Sequence, residues 1–324
     1  MEFRYLTGTG IKVSRLCLGA LTFGGQIDEK DAINMTHYAM EQGVNFIDTA
    51  NFYTDGRSEQ IVGKAIRDRR DKVILATKVC MSVSDGPNDS GLSRVHVIRQ
   101  LELSLKRLQT DYVDIYYMHM PDIHTPLDEI LETFSILVRS GKVRYIGVSN
   151  FAAWQVCQML WKSDRNHYVA PAMSQMVYNL ITRGIEQEFV PFIQEHKFGL
   201  VVYNPLAGGL LTGKHRPDSV LENTRFSLDM GRIYRDRYWH EENFKAVETL
   251  SNIARESGIS MVELAMRWCA TRPYVDSIII GFSKFEQLKQ NLSSLKDGPL
   301  PPDVMKACDE VWEQLSGNRF SYNR

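Results

Sequence analysis

Residues 45–53 read NFIDTANFY, which has the form of a short strand that ends abruptly. The apolar run stops at Asp48, and an aromatic pair closes the stretch at Tyr53. Runs of similar length and apolar character recur along the chain: RLCLGA from Arg15, NFIDTA from Asn45, KVILATK from Lys72, VDIYYMH from Val113, RYIGVSN from Arg144, AMSQMVYN from Ala172, GLVVYNPLA from Gly199 and DSIIIGF from Asp276. Strands that are apolar almost throughout are typical of parallel sheets covered on both faces. The repeat therefore predicts eight parallel strands.

Amphipathic segments lie between these runs. EKDAINMTHYAMEQG carries Ile33, His37 and Met40 on one stripe and stops at Gly43. VHVIRQLELSLKRL repeats apolar residues at helical spacing (Val97, Leu101, Leu105 and Leu108), and SMVELAMRW opens with a capping-box pattern at Ser260 and Glu263. Eight strands alternating with helices predict an α/β fold of the (β/α)8 TIM-barrel type, with a doubly wound sheet as the alternative.

The remaining segments complete one predicted domain over residues 1–324. FRYLTGTGIKVS predicts an N-terminal β-hairpin that turns at residues 8–10. The polar, arginine-rich stretch from Gly208 to about Glu242 predicts a long loop after strand seven. PPDVMKACDEVWEQL predicts an extra C-terminal helix.

Composition excludes several classes of protein. Lys and Arg number 38 and Asp and Glu number 39, so the basic excess that is usual in nucleic-acid binders is missing. Five scattered cysteines form no CxxC pair, which favours buried thiols in a reducing compartment over disulfides or a zinc site. We find no secretory signal and no apolar run of membrane-spanning length. The sequence thus predicts a cytoplasmic protein with no bound metal and no membrane insertion.

Polar residues stand at the ends of three neighbouring predicted strands. Asp48 ends strand two, Lys78 ends strand three and His119 ends strand four, while Tyr53 follows in the loop after strand two. Taken alone, each of them is more often a helix cap, a loop former or a structural residue than a functional one. The active sites of (β/α)8 barrels lie at the carboxyl ends of the strands, so we expect the four side chains to meet.

These four residue types suit proton transfer to a carbonyl oxygen. An unperturbed tyrosine has a pKa of about 10, and a nearby ammonium lowers that pKa. We therefore expect Tyr53 to be the general acid, Lys78 to lower its pKa, Asp48 to hold Lys78, and His119 to orient the carbonyl group. The set contains no reductant, which implies a bound cofactor.

Seven stretches in order along the chain resemble the aldo-keto reductase family. They are LGALTFGGQ, NFIDTANFY with DGRSE, ATK, GLSRVHVIRQLELSLKRLQTDYVDIYYMHMPD, GVSNF, YNPLAGGLLTGK and GFSKFEQLKQNL. The resemblance is strongest to the branch that contains potassium-channel β-subunits and their bacterial and plant relatives. It implies a barrel that binds a nicotinamide cofactor without a Rossmann fold, and it places the family's catalytic tetrad on Asp48, Tyr53, Lys78 and His119. Channel β-subunits commonly replace the histidine, so its retention favours an active reductase.

The same resemblance implies a set of cofactor-binding residues. Ser149, Asn150 and Gln175 match the positions that hold the nicotinamide carboxamide, and Tyr203 matches the aromatic that stacks on the nicotinamide ring. The further positions are Ala20, Gln26 and Asp48; Pro205, Leu206, Gly208 and Lys214 at the pyrophosphate; Arg225 at the adenine-ribose end; and Gly281, Ser283, Gln287 and Asn291 at the adenosine phosphate. Lys284 is a candidate cation for a 2′-phosphate, and an ordinary solvated lysine is an equally good reading. The chain departs from the family pattern at Gln290, where an acid is common, and at Met120, where an arginine is common.

Three functions follow from this reading. The first is an NADP(H)-dependent oxidoreductase that reduces aldehydes or ketones to alcohols or runs in the reverse direction, with NAD(H) as the alternative cofactor. The second is a cofactor-binding regulatory channel subunit with slow turnover. The third is a Schiff-base aldolase that uses Lys78. GGLLTGKH approaches a phosphate loop but has His215 where Ser or Thr is required, so an NTPase is excluded. Phe23, Phe52, Trp154 and Met120 are candidates for a substrate pocket or for core packing, and a homo-oligomer is possible.

Overall fold

In the computed structural model, which describes residues 1–222, 224–228 and 231–317, eight parallel strands close into a barrel. The strands of the barrel are β3 (Leu16–Gly19), β4 (Phe46–Asp48), β5 (Ile74–Val79), β6 (Val113–Met118), β7 (Val143–Ser149), β8 (Met173–Val177), β9 (Gly199–Tyr203) and β10 (Ser277–Ile280). Before them, β1 (Phe3–Tyr5) and β2 (Lys12–Ser14) form a separate antiparallel hairpin. β3 to β9 pair in chain order, and β10 pairs with both β9 and β3. The predicted (β/α)8 barrel is confirmed, and the doubly wound sheet is excluded.

Helices surround this barrel. They are α1 (Glu29–Glu41), α2 (Arg57–Ile66), α3 (Arg94–Leu108), α4 (Leu127–Arg139), α5 (Ala153–Asn166), α6 (Phe189–His196), α7 (Gly231–Tyr238), α8 (Glu241–Glu256), α9 (Met261–Thr271), α10 (Phe285–Ser293) and α11 (Pro302–Ser316). α11 is the predicted C-terminal helix. Among the residues described, no helix is long and apolar enough to span a bilayer.

The barrel strands bury both of their faces, which explains why their sequences are apolar almost throughout. Inward side chains such as Phe46, Ile115 and Tyr117 form one packed cluster inside the barrel. Outward side chains pack with the helices in a second, larger cluster. The two faces of the strands therefore meet different partners, and among the residues of the barrel strands Arg144 of β7 is the exposed one.

The N-terminal hairpin, formed by β1 and β2, covers one end of the barrel. Leu6 and Val13 pack into the inner cluster. The Asp276 carboxylate accepts hydrogen bonds from the Thr7 amide (3.1 Å), the Thr7 hydroxyl (2.8 Å) and the Leu200 amide (3.0 Å). The buried Arg15 donates to the carbonyls of Val275 and Asp276. The hairpin is thus tied to Asp276, the residue directly before the last strand of the barrel.

Two predicted elements differ in detail from the structure. The buried face of α1 consists of Ala32, Met35, Thr36 and Ala39, whereas Ile33 and Met40 are only half-buried. Three of these four side chains are small, so a pattern read from large apolar residues misses that face. The predicted long loop after β9 contains a 3-10 turn at Ala207–Thr212 and the helix α7. α7 forms because Tyr234 and Tyr238, four residues apart, are both buried on one of its faces.

Candidate active site

Lys78 lies at the centre of a polar group at the carboxyl ends of the strands. Its side chain is fully buried, and its Nζ donates to the Asp48 carboxylate, to the Thr49 carbonyl (2.8 Å) and to the Tyr53 hydroxyl (3.2 Å). All three donors of the ammonium therefore have acceptors. Asp48 ends β4 and Lys78 lies near the end of the adjacent β5, so the parallel pairing of the two strands brings their side chains together.

Asp48 is held from the far side of the barrel as well. Its second carboxylate oxygen accepts from the side-chain amide of Gln175 on β8 at 2.9 Å. Both partners are buried, with Asp48 2% exposed and Gln175 4% exposed. Sequence reasoning did not foresee this bond, which joins residues 127 positions apart.

Burial dominates the electrostatics of this group. It raises the pKa of the Asp48 carboxyl above its ordinary value, against the opposing effect of Lys78. Burial by itself lowers the pKa of Lys78, but the neighbouring Asp48 and Tyr53 more than offset it, so the net pKa is raised. The Lys78 side chain is therefore a protonated ammonium at neutral pH.

The expected lowering of the Tyr53 pKa is wrong as a net effect. Burial raises the pKa of the Tyr53 phenol above its ordinary value, and the opposing effect of the Lys78 ammonium is smaller. Sequence reasoning counted the charge but could not weigh the loss of solvent around the hydroxyl. Tyr53 consequently carries its proton at neutral pH.

His119 lies beside Tyr53 and is neutral. Its ring centroid is 6.0 Å from that of Tyr53, edge to face, and 5.3 Å from that of Phe52. Burial, followed by the charge of Lys78, lowers the pKa of His119 well below its ordinary value. Its buried Nδ1 has no hydrogen-bond partner within the part of the chain that the structure describes. A neutral imidazole beside a protonated phenol offers a carbonyl oxygen two adjacent hydrogen-bonding groups.

The predicted carboxamide-binding residues form a network next to His119. The Asn150 side-chain amide donates to the His119 carbonyl (3.1 Å) and to the Ser149 hydroxyl (3.1 Å), and its oxygen accepts from the Tyr203 hydroxyl (2.8 Å). Ser149 in turn donates to the carbonyl of Gln175 at 2.9 Å. The structure therefore brings these four residues together, with the Asn150 amide already engaged within the protein.

A tight coil follows β9 and contains several other candidates. Gly208 has a φ of +67°, and an added Cβ there would come within 2.7 Å of the ring of Tyr234. The guanidinium of Arg225 lies 5.3 Å from the centre of that same ring. Pro205 is buried, Leu206 is half-buried and Lys214 is exposed. Gly208, Arg225 and Tyr234 thus form one cluster, whereas Lys214 projects into solvent.

Two residues of this region were missed by sequence reasoning. Asn204 adopts a positive φ of 57°, and its side-chain nitrogen is buried without a hydrogen-bond partner among the described residues. A polar residue between the strand-end Tyr203 and Pro205 was the available signal. Tyr234 lies in the segment read as a loop and gave no signal of its own. An unpaired buried donor is costly unless a ligand or water satisfies it, so Asn204 fits a ligand-binding role.

The remaining candidates gather at the start of α10. The side-chain oxygen of Gln287 accepts from the amides of Ser283 (2.8 Å) and Lys284 (3.2 Å), and the Asn291 amide donates to the carbonyl of Gly281 (3.1 Å). Gln26 lies on the same groove as Ser283 and Lys284. Ala20 lies apart from α10: it is fully buried, and its amide donates to the carbonyl of Asp48 at 2.9 Å.

The donor set fits a nicotinamide dinucleotide. Asn204 offers an unpaired buried amide nitrogen. The amides of Asn150 and Gln175 and the N-terminus of α10 are groups that bind carboxamides and phosphates, provided that a ligand replaces or shares the hydrogen bonds they make within the protein. Of the residues suggested for a substrate pocket, Phe52 adjoins His119, Phe23 is core, and Trp154 and Met120 are exposed. In the described ranges, no cluster of three or more His, Cys, Asp and Glu side chains could hold a metal ion.

Comparison with known proteins gives a consistent result. Residues 15–313 match the family model described as "Aldo/keto reductase family". A probable voltage-gated potassium channel subunit beta from Arabidopsis thaliana is 37% identical over 99% of this chain and 100% of its own length. The aldo-keto reductase YhdN of Bacillus subtilis is 37% identical over 97% and 94% of the two chains, and aflatoxin B1 aldehyde reductase member 2 of Rattus norvegicus is 34% identical over 95% and 87%.

Proposed function

The chain belongs to the aldo/keto reductase family, and we propose on that premise that it is an NADP(H)-dependent oxidoreductase that interconverts aldehydes or ketones with alcohols. The observation that carries the proposal is the buried group in which Lys78 joins Asp48 to the Tyr53 hydroxyl, with neutral His119 alongside. Relatives named as aldo-keto reductase and aldehyde reductase support the same class of reaction.

Each residue of the tetrad then has a distinct role. A nicotinamide dinucleotide, when bound, would supply the hydride for the carbonyl carbon. Tyr53 donates its phenolic proton to the carbonyl oxygen, which becomes the alcohol hydroxyl. Lys78 stabilises the resulting phenolate, Asp48 keeps Lys78 charged and fixed, and His119 orients the carbonyl oxygen by a hydrogen bond. A phenol that is protonated in the resting state is ready to act in the reductive direction.

The cofactor is proposed to lie along the carboxyl ends of the strands. Ser149, Asn150, Gln175 and Tyr203 hold the nicotinamide end, to which we add Asn204. Preference for NADP(H) over NAD(H) rests on the cations Lys284 and Arg225. We also propose a cytoplasmic location and assembly into a homo-oligomer. The location is supported by the five free cysteines, which suit a reducing compartment.

A regulatory role is the second candidate, because relatives named as potassium channel subunits beta match this chain over almost its full length. The retained His119 favours turnover over a purely regulatory role. The Schiff-base aldolase is disfavoured because the raised pKa of Lys78 keeps its amine protonated, and a protonated amine is not a nucleophile.

Titration with NADPH and a cofactor-consumption screen across carbonyl compounds and alcohols test the proposal. NADPH should quench the intrinsic fluorescence and raise Tm, because a ligand selective for the folded state stabilises it. NADPH should bind more tightly than NADH, and Lys284→Ala and Arg225→Ala should each weaken that preference. If millimolar NADPH changes neither the fluorescence nor Tm, the proposal that the protein is a reductase is refuted.

A Tyr53→Phe variant separates catalysis from binding. It should bind NADPH almost normally, because the ring is kept, while turnover falls by roughly 10²–10⁴, the usual contribution of a positioned general acid. Tyr116→Phe is the matched control, since Tyr116 is a buried tyrosine whose hydroxyl faces α3 and donates to the carbonyl of Val97 at 3.4 Å. Wild-type turnover by Tyr53→Phe on a substrate for which chemistry limits the rate would refute the mechanism.

A further inference from the structure

A groove of about 730 Å³ lies between the start of α1 and the start of α10. Gly25, Gln26 and Ile27 line it at the turn that leads into α1. One wall is the first turns of α1, and the opposite wall is the turn between β10 and α10. The wall residues are Asp28, Asp31, Asn34 and Met35 on one side and Ser283, Lys284 and Phe285 on the other. A contact between the rings of Tyr38 and Phe285, with centroids 5.0 Å apart, holds the two helices together.

The charges of the two walls are unequal. The α1 wall presents two carboxylates, Asp28 and Asp31, and the α10 wall presents the single ammonium of Lys284. Across residues 1–222, 224–228 and 231–317, none of these three charged groups has an ion-pair partner. Asp28 uses one oxygen to accept the Asp31 amide at 2.8 Å, as the N-cap of α1. The groove therefore carries an excess of negative charge on its walls.

The helix terminus that could offset this excess is already engaged. Gln287 places its side-chain oxygen against the amides of Ser283 and Lys284 and against the Ser283 hydroxyl at 3.2 Å. These are the groups through which the N-terminus of a helix binds an anion. An anion at this wall must displace Gln287 or rely on Lys284 alone.

We infer that Asp28 and Asp31 act against a 2′-phosphate and limit how strongly this protein selects NADP(H) over NAD(H). The inference rests on the proposed function, which places the adenosine end of the cofactor at Ser283 and Lys284. A phosphate monoester carries a charge of about −1.5 to −2 at pH 7, so it is repelled by both carboxylates. A ribose 2′-hydroxyl is neutral and can donate a hydrogen bond to a carboxylate. The α1 wall therefore favours the dinucleotide that lacks the phosphate, and Lys284 favours the other.

The test measures the dissociation constants of NADPH and NADH by fluorescence quenching at low and high salt. The variants are Asp28→Asn, Asp31→Asn and their combination, because asparagine keeps the N-cap function at position 28. Lys284→Gln serves as the opposite perturbation. Glu29→Gln is the matched control: Glu29 is an acid of the same helical turn that pairs with Lys64 at 2.6 Å and does not line the groove. Circular dichroism and Tm verify that each variant is folded.

The double asparagine variant should bind NADPH about threefold to tenfold more tightly, the size expected for two exposed charges acting through partly screened solvent. NADH affinity should change less than twofold, and the gain for NADPH should shrink at 0.5 M salt because surface charges are screened. Lys284→Gln should weaken the binding of NADPH, and Glu29→Gln should leave the affinities for NADPH and NADH unchanged.

Two results would overturn the inference while leaving the proposed function intact. One is an unchanged ratio of the NADPH and NADH dissociation constants in the double variant. The other is an equal shift for both dinucleotides, which would place the effect away from the 2′ position. If the unsubstituted protein binds neither dinucleotide, the proposed function itself is refuted and the inference falls with it.

Discussion

Replacing Lys78 with methionine tests whether the buried ion pair is organised as described. The substitution removes three hydrogen bonds and leaves the Asp48 carboxylate buried with the Gln175 amide as its remaining side-chain donor. Removing one partner of a buried pair costs about 3–5 kcal/mol, because the other charge is left uncompensated. Since whole domains are stable by about 5–15 kcal/mol, this loss is large enough to measure by urea unfolding.

A second substitution distinguishes lost charge compensation from lost packing. Lys78→Met with Asp48→Leu removes both charges, and replacing a whole buried pair by apolar residues is often neutral. The double variant should therefore recover most of the lost stability, less the roughly 1–3 kcal/mol of leaving the Gln175 amide without its acceptor. Turnover should stay abolished in both variants, because neither has the ammonium beside Tyr53.

The pH dependence of the single variant provides a further check. Without Lys78, the hydrogen bond from Gln175 alone opposes the effect of burial on Asp48 among the causes described above, so the pKa of Asp48 in the folded state rises further above the unfolded value. The folded state then binds a proton more readily than the unfolded chain, and stability increases as the pH falls through that raised pKa. Wild-type stability in Lys78→Met at neutral pH, or no recovery in the double variant, would refute the account of the pair.

Three other predictions concern single side chains. His119→Ala should lower kcat far more than it raises the Kd of NADPH, and the wild-type pH–rate profile should show no histidine break near pH 6.5, because the pKa of His119 lies well below that value. Gly147→Ala should lose about 1–3 kcal/mol of stability in urea unfolding, since its Cβ would come within 2.3 Å of the Tyr117 ring, and adding Tyr117→Leu should restore part of the loss. Burial, followed by the charge of Lys214, lowers the pKa of His215 to about 4, so the folded state resists protonation of this side chain. The stability of the protein should therefore fall as the pH decreases from about 6.5 toward 4. In His215→Phe this dependence of stability on pH should be weaker, as measured by the urea midpoints of unfolding across that pH range.

Much of the fold and the centre of the site could be read from the sequence, because both depend on local patterns combined with a geometric rule. Apolar runs fix the strands, and parallel strands in a barrel bring their carboxyl ends to one rim. Asp48, Lys78 and His119 each end such a run, so their meeting follows from the fold. No chemistry specific to this protein was needed for that step.

What the sequence did not predict depends on distances in three dimensions. The bond from Gln175 to Asp48 crosses the barrel, and no local pattern records it. The pKa of Tyr53 results from a competition between burial and a neighbouring charge, and the sequence shows the charge but not the solvent. α7 is short and rich in arginine, and its composition therefore suggested a loop. Two tyrosines that are buried only in the folded protein stabilise it as a helix.

The closing seam of the barrel has a consequence for how the chain is made. β3 (Leu16–Gly19) pairs with β10 (Ser277–Ile280), and the ribosome synthesises β10 about 260 residues after β3. The hairpin is tied to Asp276, directly before β10, and so waits for the same part of the chain. Synthesis at about 5–20 residues per second makes that interval on the order of tens of seconds. Throughout it, β3 exposes one unpaired edge, the kind of surface that invites pairing with other chains. The closing edge of β3 is therefore paired only after the seven later strands of the barrel have been synthesised.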